Sequence, residues 1–374
     1  MERGEDMYTQ YIDNFADELG PEQIIHIYDP KTQLRAIVAI DNLALGPAIG
    51  GTRMMPDVTT REVFRLARAM TLKNAVNGLK HGGAKSGIVA DPRSPDKETL
   101  VRTFARAIRD IKGYIPGPDM GTDEQSMAWV HEETGRAVGL PRMLGGLPLD
   151  ELGMTGYGVA VAADVASDVI GLPLKGARVA IQGFGNVGKA AAKFLLERGV
   201  KVIAVNDSKG TLHDSVGIDI PSLLKFVAGG GKVADSRLGQ PMERDALLTV
   251  ESDIFIPAAR PDVFTELNQH LLNTQLVLEG ANIPITREAA EKLHARGVWI
   301  IPDIIANSGG VICAAMEYQG RTANDAFAAI RETIGRNTRE VLRRVRENKT
   351  VPHKAALDMA REPIDEAMER NAMI

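Results

Sequence analysis

Apolar and polar positions along the chain change period several times, and each change marks an element. Residues 24–30 and 34–41 read as strands, the second through the β-branched, partly alternating run Leu34-Arg35-Ala36-Ile37-Val38-Ala39-Ile40-Asp41. From Thr59 to Leu79 the spacing turns helical: Val63, Leu66, Ala67 and Met70 recur at steps of three and four, with Thr59 or Thr60 as cap and Glu62 in the first turn. Ile88-Val89-Ala90 reads as a short strand closed by Asp91-Pro92, and residues 96–112 as a helix stopped by Gly113. Tyr114 to Thr122 carries two prolines and two glycines and reads as a rigid loop. Residues 141–158 are rich in Gly and Pro and predict a crossing between domains, followed by a small-residue helix from Gly158 to Val169. Strand Ala177–Gln182, a glycine loop, a helix through Arg198 and strand Val202–Val205 make a βαβ unit. Further candidate strands at 253–256, 276–278 and 298–301, spaced by helices, predict a parallel, doubly wound sheet. Beyond about 320 the chain reads as amphipathic helix, and no internal repeat is evident.

Length and composition narrow the class. With 374 residues the chain is expected to form two α/β domains, each able to bury a core. Basic residues are scattered and the net charge is -5, so no nucleic-acid footprint is present. Arg343 to Lys349 alternates with apolar and acidic residues and reads as a solvated helix face. One cysteine, Cys313, forbids an intrachain disulfide and sits in an apolar run that predicts a packed thiol. The N-terminus is acidic and lacks the pattern of a signal peptide, and no stretch reaches the ~18 apolar residues of a membrane span. A cytoplasmic protein is expected.

Two motifs carry candidate chemistry. Leu79 to Pro92 reads as placing Lys85 in a glycine loop, two residues after a Gly-Gly pair, and Lys73 lies twelve residues earlier, late on the predicted helix. Glycines let a substrate approach the backbone, and a lysine can hold a carboxylate or act as a base when neutral. Gln182-Gly183-Phe184-Gly185-Asn186-Val187-Gly188 stands between strand and helix, as a dinucleotide fingerprint requires. Its glycines permit a tight turn, and the helix N-terminus offers free N–H groups to a pyrophosphate. Asp207, after the next strand, favours ribose hydroxyls and hence NAD; Ser208 and Lys209 also suit a 2′-phosphate, so NADP stays open. Together the motifs suggest redox chemistry on a small carboxylic acid.

With these motifs the chain resembles the glutamate/leucine/phenylalanine/valine dehydrogenase family from about residue 30 to 320, closest to the leucine branch. The matching blocks are Leu79 to Pro92, Leu45 to Arg53, Tyr114 to Thr122, Gly183 to Gly188, Glu279-Gly280-Ala281-Asn282 and Asn307-Ser308-Gly309-Gly310-Val311. The resemblance implies reversible oxidative deamination of an L-amino acid to a 2-oxo acid and ammonia, with a homo-oligomeric enzyme and no nucleic-acid or membrane partner. It implies two domains around a cleft: an α/β substrate domain (1–140, joined by 326–374) and a Rossmann-type nucleotide domain (141–325). The N-terminal segment is expected to help assembly.

Carried over by position, Lys73 would bind the substrate α-carboxylate. Lys85 would be the catalytic lysine, and Asp119 would move protons at the amino group. Thr155, Gly183, Gly185, Asn186, Val187, Gly188, Asp207, Asn282 and Asn307 would line the cofactor site; no metal is implied. In the implied course, hydride leaves Cα, water activated by a neutral Lys85 attacks the iminium, and ammonia departs with Asp119 shuttling protons. Burial and a neighbouring cation such as Lys73 favour a neutral lysine.

Substrate choice turns on two positions. Members acting on glutamate place a lysine before the first Gly-Gly pair and a serine three residues after the valine of Gly-Gly-Val; here these are Ile49 and Ala314. Neither pairs a second carboxylate, and burying one unpaired is costly. Ile49, Gly50, Gly51, Gly117, Val311 and Ala314 therefore imply a pocket for an apolar side chain of leucine, valine or phenylalanine type. Glutamate is the alternative, and Pro116 to Asp119 and Glu279 to Pro284 look more like that branch. A non-catalytic nucleotide-binding subunit is the third reading, against which the joint presence of Lys73, Lys85 and Asp119 argues.

Overall fold

In the computed structural model the described residues are 16–372. The N-terminal segment expected to help assembly lies, up to residue 15, outside them. The chain divides into two compact units. One comprises the described part of Met1–Pro148 with Ala314–Ala323 and Ala360–Ile374; the other comprises Leu149–Cys313 and Asn324–Met359. The expected assignment of all of 326–374 to the first unit therefore differs from the structure. Most of the long helix Ala323–Asn348 belongs to the second unit, where its buried Ile334 packs on Gly158 of the helix Met154–Ile170: a Cβ on that glycine would stand 2.7 Å from Ile334 Cδ1.

The first unit is built on a five-stranded sheet, β1 Gln23–Asp29, β2 Leu34–Asn42, β3 Ala48–Met54, β4 Gly83–Ile88 and β5 Tyr114–Pro118, in the order β1-β2-β4-β3-β5. The β1–β2 hairpin is set by Asp29, whose carboxylate accepts from the N–H of Thr32 at 2.7 Å and closes the turn. β2 and β4 run antiparallel; β3 is parallel to both β4 and β5.

Three expectations change here. Lys85 lies inside β4, not in a glycine loop, and the strand predicted at Ile88–Ala90 ends where it was to begin. Tyr114–Pro118, read as loop, is a strand at the sheet edge, where prolines do not interrupt a ladder on both sides. β3 was not predicted at all, because its glycine pair lowers strand propensity.

Three helices cover this sheet: α1 Thr60–Val76, α2 Lys97–Ala107 and α3 Glu124–Thr134. Thr59 caps α1 by accepting from the N–H of Glu62, and Asp123 and Ser126 form a reciprocal cap on α3. α2, its C-cap Ile108 and α3 supply Val101, Phe104, Ile108, Met127 and Val130 to the main core, against Val38, Ile40, Met54, Ile88 and Tyr114 from the sheet.

The second unit holds a seven-stranded sheet. Its strands are β6 Arg178–Gln182, β7 Lys201–Asn206, β8 Thr211–His213, β9 Gln240–Met242, β10 Ile254–Pro257, β11 Leu276–Leu278 and β12 Trp299–Ile301. They run in the order β12-β11-β10-β6-β7-β8-β9, parallel from β12 to β7, with β8 and β9 antiparallel at one edge. The helix Met154–Ile170 starts earlier than the predicted Gly158. Phe255, Phe264, Val277, Leu293 and Ile300 form the core, the two phenylalanines meeting edge to face at 5.3 Å. Order reverses between β6 and β10, which makes their C-terminal ends the switch point where ligands bind in such sheets.

Candidate active site

Strand periodicity explains how the first unit gathers its chemistry. Residues two apart share a face, so Ile49, Gly51 and Arg53 of β3 lie together with Gly83, Lys85 and Gly87 of β4. Ile115, Gly117 and then Asp119 continue the same face from β5. α1 covers the part of this face over β2 and β4, where Ile37 and Ala39 pack on Val63, Phe64 and Ala67.

Lys85, Asp119 and Arg53 converge. The Lys85 ammonium lies 3.3 Å from Asp119 Oδ1, and Arg53 Nε donates to Asp119 Oδ2 at 2.8 Å. Arg53 also pairs with Glu62 of α1. Burial pushes the Asp119 carboxyl up, but the Lys85 and Arg53 charges outweigh it and hold it below the usual carboxylate range. Gly51 makes this meeting fit: a Cβ there would stand 2.9 Å from Asp119 Cβ and 3.0 Å from Lys85 Nζ.

Lys73 is buried in the last turn of α1. Its turn is tied to the residue before β4, since Asn74 donates to the Gly82 carbonyl at 2.6 Å. Ile49 and Ala314 also come together: with Ile115 and Val138 they form one buried apolar cluster, and a Cβ on Gly117 would touch Val138. Gly50 is buried in β3 and faces the other side of the sheet, where a Cβ would run into the Ala84 carbonyl. Val311 lies three residues before Ala314 on the helix Gly309–Tyr318, on the same side.

Sequence reasoning missed two residues here. Arg53 was within a quoted block, and its spacing from Ile49 and Gly51 was the available signal. Val138 comes from irregular chain, where no periodicity announces it.

In the second unit, Gly183 ends β6 at φ +93°, a backbone that other residues rarely adopt. Its N–H donates to Asn206 Oδ1 at 2.7 Å, and Phe184 N–H to the Asn206 carbonyl at 2.7 Å, which pins the loop to the end of β7. The helix Asn186–Leu196 then begins at Gly185 with no side-chain cap, and a Cβ on Gly185 would meet nothing within 4 Å. Uncapped N–H groups facing open space fit a dinucleotide pyrophosphate. Val187 and Gly188 lie in the helix's first turn, and Asn186 Nδ2 donates to Asp150 at 3.1 Å.

Asp207 follows β7 and accepts from the N–H groups of Lys209 at 2.8 Å and Val233 at 3.1 Å. Asn307 donates to the Ala281 carbonyl at 3.0 Å and to Asn282 Oδ1 at 3.2 Å, joining those two expected cofactor residues. Thr155 lies against Gly310, where a Cβ would be 2.9 Å from its hydroxyl. Buried Glu279, unremarked beyond its block, accepts from Asp303 N–H at 2.8 Å and pairs with His353 at 2.9 Å.

A lysine–aspartate pair on one α/β unit and an uncapped glycine turn on another are the two features that comparison with known proteins can test. The sequence profile of the Glutamate/Leucine/Phenylalanine/Valine dehydrogenase family matches residues 145–372, and that of the Glu/Leu/Phe/Val dehydrogenase dimerisation domain matches residues 21–136. The chain belongs to this family. It is 39% identical to the glutamate dehydrogenase of Aeropyrum pernix over 322 residues, which is 80% of this chain and 77% of that protein. It is 41% identical to the NADP-specific glutamate dehydrogenase of Saccharolobus shibatae over 293 residues, 74% of this chain and 69% of that one. Its fold is similar to the crystal structure of the hetero-hexameric glutamate dehydrogenase of Thermus thermophilus in its leucine-bound form, with TM-score 0.84, 27% identity and 98% of each chain covered. Among the described residues no helix is long and apolar enough to cross a membrane.

Proposed function

We propose that the chain catalyses reversible oxidative deamination of an apolar L-amino acid, with Lys85 and Asp119 as catalytic groups and Lys73 binding the α-carboxylate. The observation that carries the side-chain preference is the apolar cluster of Ile49, Ile115, Val138 and Ala314, on the sheet face that bears Lys85 and Asp119. A second carboxylate buried there would lose its water without gaining a partner. An aliphatic or aromatic side chain would instead gain ~0.8 kcal/mol per buried CH₂. A bound NAD or NADP would be held by Gly183, Gly185, Val187 and Gly188 at the helix N-terminus and would accept the hydride from substrate Cα. Asp207 favours NAD. Asp119, held ionised by Arg53 and Lys85, can take a proton from the amino group. Lys85, across the same ion pair, can hold and release a proton at an attacking water.

The second reading is glutamate as substrate. The names of two relatives favour it: the Aeropyrum and Saccharolobus proteins are both named as glutamate dehydrogenases. NAD⁺ and NADP⁺ reduction at 340 nm, with leucine, valine, isoleucine, phenylalanine, tryptophan and glutamate, separates the two. Turnover of an apolar substrate and none of glutamate is the expected result. Turnover of glutamate alone would mean that another group grips the distal carboxylate. No turnover on any substrate would point to a silent, nucleotide-binding subunit.

The dimerisation-domain match over residues 21–136 supports a homo-oligomer, and the single, buried Cys313 is compatible with a reducing cytoplasm.

A further inference from the structure

We propose that Glu317 is a positioning residue for substrate specificity, its carboxylate bracketing the segment that carries Val138 against the helix that carries Ala314. The proposal rests on the pocket reading above, and everything it uses lies within the first unit.

Glu317 is buried near the end of the helix Gly309–Tyr318, three residues after Ala314 and so on the same side of that helix. Oε1 accepts from Leu140 N–H at 3.0 Å and Oε2 from Leu147 N–H at 3.0 Å. Gly139 N–H points to the same carboxylate. Val138 directly precedes this clamp. Its own N–H donates to the Pro116 carbonyl of β5 at 2.9 Å, and Gly139 turns away at φ +70° against the ring of Pro118. Val138 is thereby fixed on one flank by β5 and on the other by Glu317.

The segment between the clamped amides closes on itself. Gly146 N–H donates to the Pro141 carbonyl at 3.2 Å, and Leu144 N–H to the same carbonyl at 2.9 Å. One carboxylate therefore gathers both ends of the loop that follows Val138 onto the helix that carries Ala314. A buried carboxylate makes a stiff bracket, because releasing any of its amides leaves a donor without a partner.

Glutamine keeps the shape but turns one acceptor into a donor facing a backbone N–H. In the full-length enzyme, Glu317→Gln should raise KM for the preferred amino acid about tenfold while kcat stays within about twofold, the scale of one lost charge-assisted bond. KM for the dinucleotide should not move. Val138→Ala and Glu317→Gln should each narrow the kcat/KM ratio between the best and second-best amino acid, and the double variant should lose less than the sum of the two singles, as residues acting together do. Glu317→Asp, which keeps the charge on a shorter stem, serves if Glu317→Gln does not fold, with a smaller rise in KM expected. Equal losses of kcat on every substrate, or strict additivity with Val138→Ala, would overturn the proposal. The wild-type panel judges the apolar reading separately: if glutamate alone is turned over, that reading falls, and the split between KM and kcat on glutamate still decides the role of Glu317.

Discussion

The two faces of the five-stranded sheet are made by alternate residues of the same strands, yet they obey opposite rules. In β4, Ala84, Ser86 and Ile88 face α2 and α3, while Gly83, Lys85 and Gly87 face the other way. The first face is closed by large side chains such as Phe104 and Tyr114, both fully buried. The second is kept low by glycine so that charged groups from separate strands can touch. Burial stabilises the first face; on the second, burial works against Lys85, Asp119 and Arg53, and ion pairs, among them and from Arg53 to Glu62, offset it. On the proposed reading, the contrast separates residues that fold the unit from residues that would carry its chemistry.

The largest expected effect is on the charged face alone. Lys85→Ala should lower kcat by about 10³-fold, within the usual range for removing a positioned acid–base group. Asp119 keeps its bond to Arg53, so the midpoint of thermal unfolding should move little. Steady-state kinetics beside a melting curve checks both halves; a large loss of stability with modest loss of rate would dissolve the distinction between the faces. Phe104→Ala is the mirror experiment. It should cost about 3–5 kcal/mol of unfolding free energy, as for other buried aromatics, with kcat of the folded fraction unchanged. Urea unfolding and an activity assay below the transition measure it.

Most of the second unit was legible in the sequence because backbone does its work. Gly183, Gly185 and Gly188 announce themselves by spacing, and the strand before and helix after them complete the signal. The functional face of the first unit was less legible. β3 and β5 were not recognised as strands, since the glycines and prolines that keep the face low are the residues that mark loops. Without those strands, the alternation linking Ile49, Gly51 and Arg53 could not be seen. Lys73 and Lys85 stood out beside the Gly-Gly pair, but their separate roles, and Asp119, came only with the family resemblance. Val138 and Glu317 left no signal, because their roles depend on a folded loop.

A smaller effect concerns how Asp119 is held ionised. Its folded pKa lies below the ordinary value, so the stability it contributes is present above the ordinary carboxylate range and lost as pH falls through the depressed value. Arg53→Gln removes one of the two charges that depress it, and burial then acts more freely. The acid limb of kcat/KM should move to higher pH, with about a tenfold loss of activity near neutrality as an order of magnitude for one charged hydrogen bond. A pH–rate profile of both proteins checks this. An acid limb unchanged in Arg53→Gln would show that Asp119 does not set it.

The smallest effect tests whether the faces are independent. Tyr114 lies on the closed face, yet its hydroxyl donates to the carbonyl of Gly50 at 3.1 Å, directly before Gly51, and meets Ser86 Oγ at 2.8 Å, directly after Lys85. Burial pushes its phenol up to about 12, so it stays neutral wherever the enzyme works and adds nothing to the pH profile. Its contribution to the charged face can only be mechanical, through the backbone of β3 and β4. Tyr114→Phe keeps the ring and its packing and removes those hydrogen bonds, which should cost about 1 kcal/mol of stability. If each face is self-contained, kcat should stay within about threefold of wild type, since no acid–base group has been touched. A fall beyond a hundredfold would instead mean that the hydroxyl network under Gly51 and Lys85 sets the 3.3 Å ion pair above it, and that the folding face is part of the catalytic one.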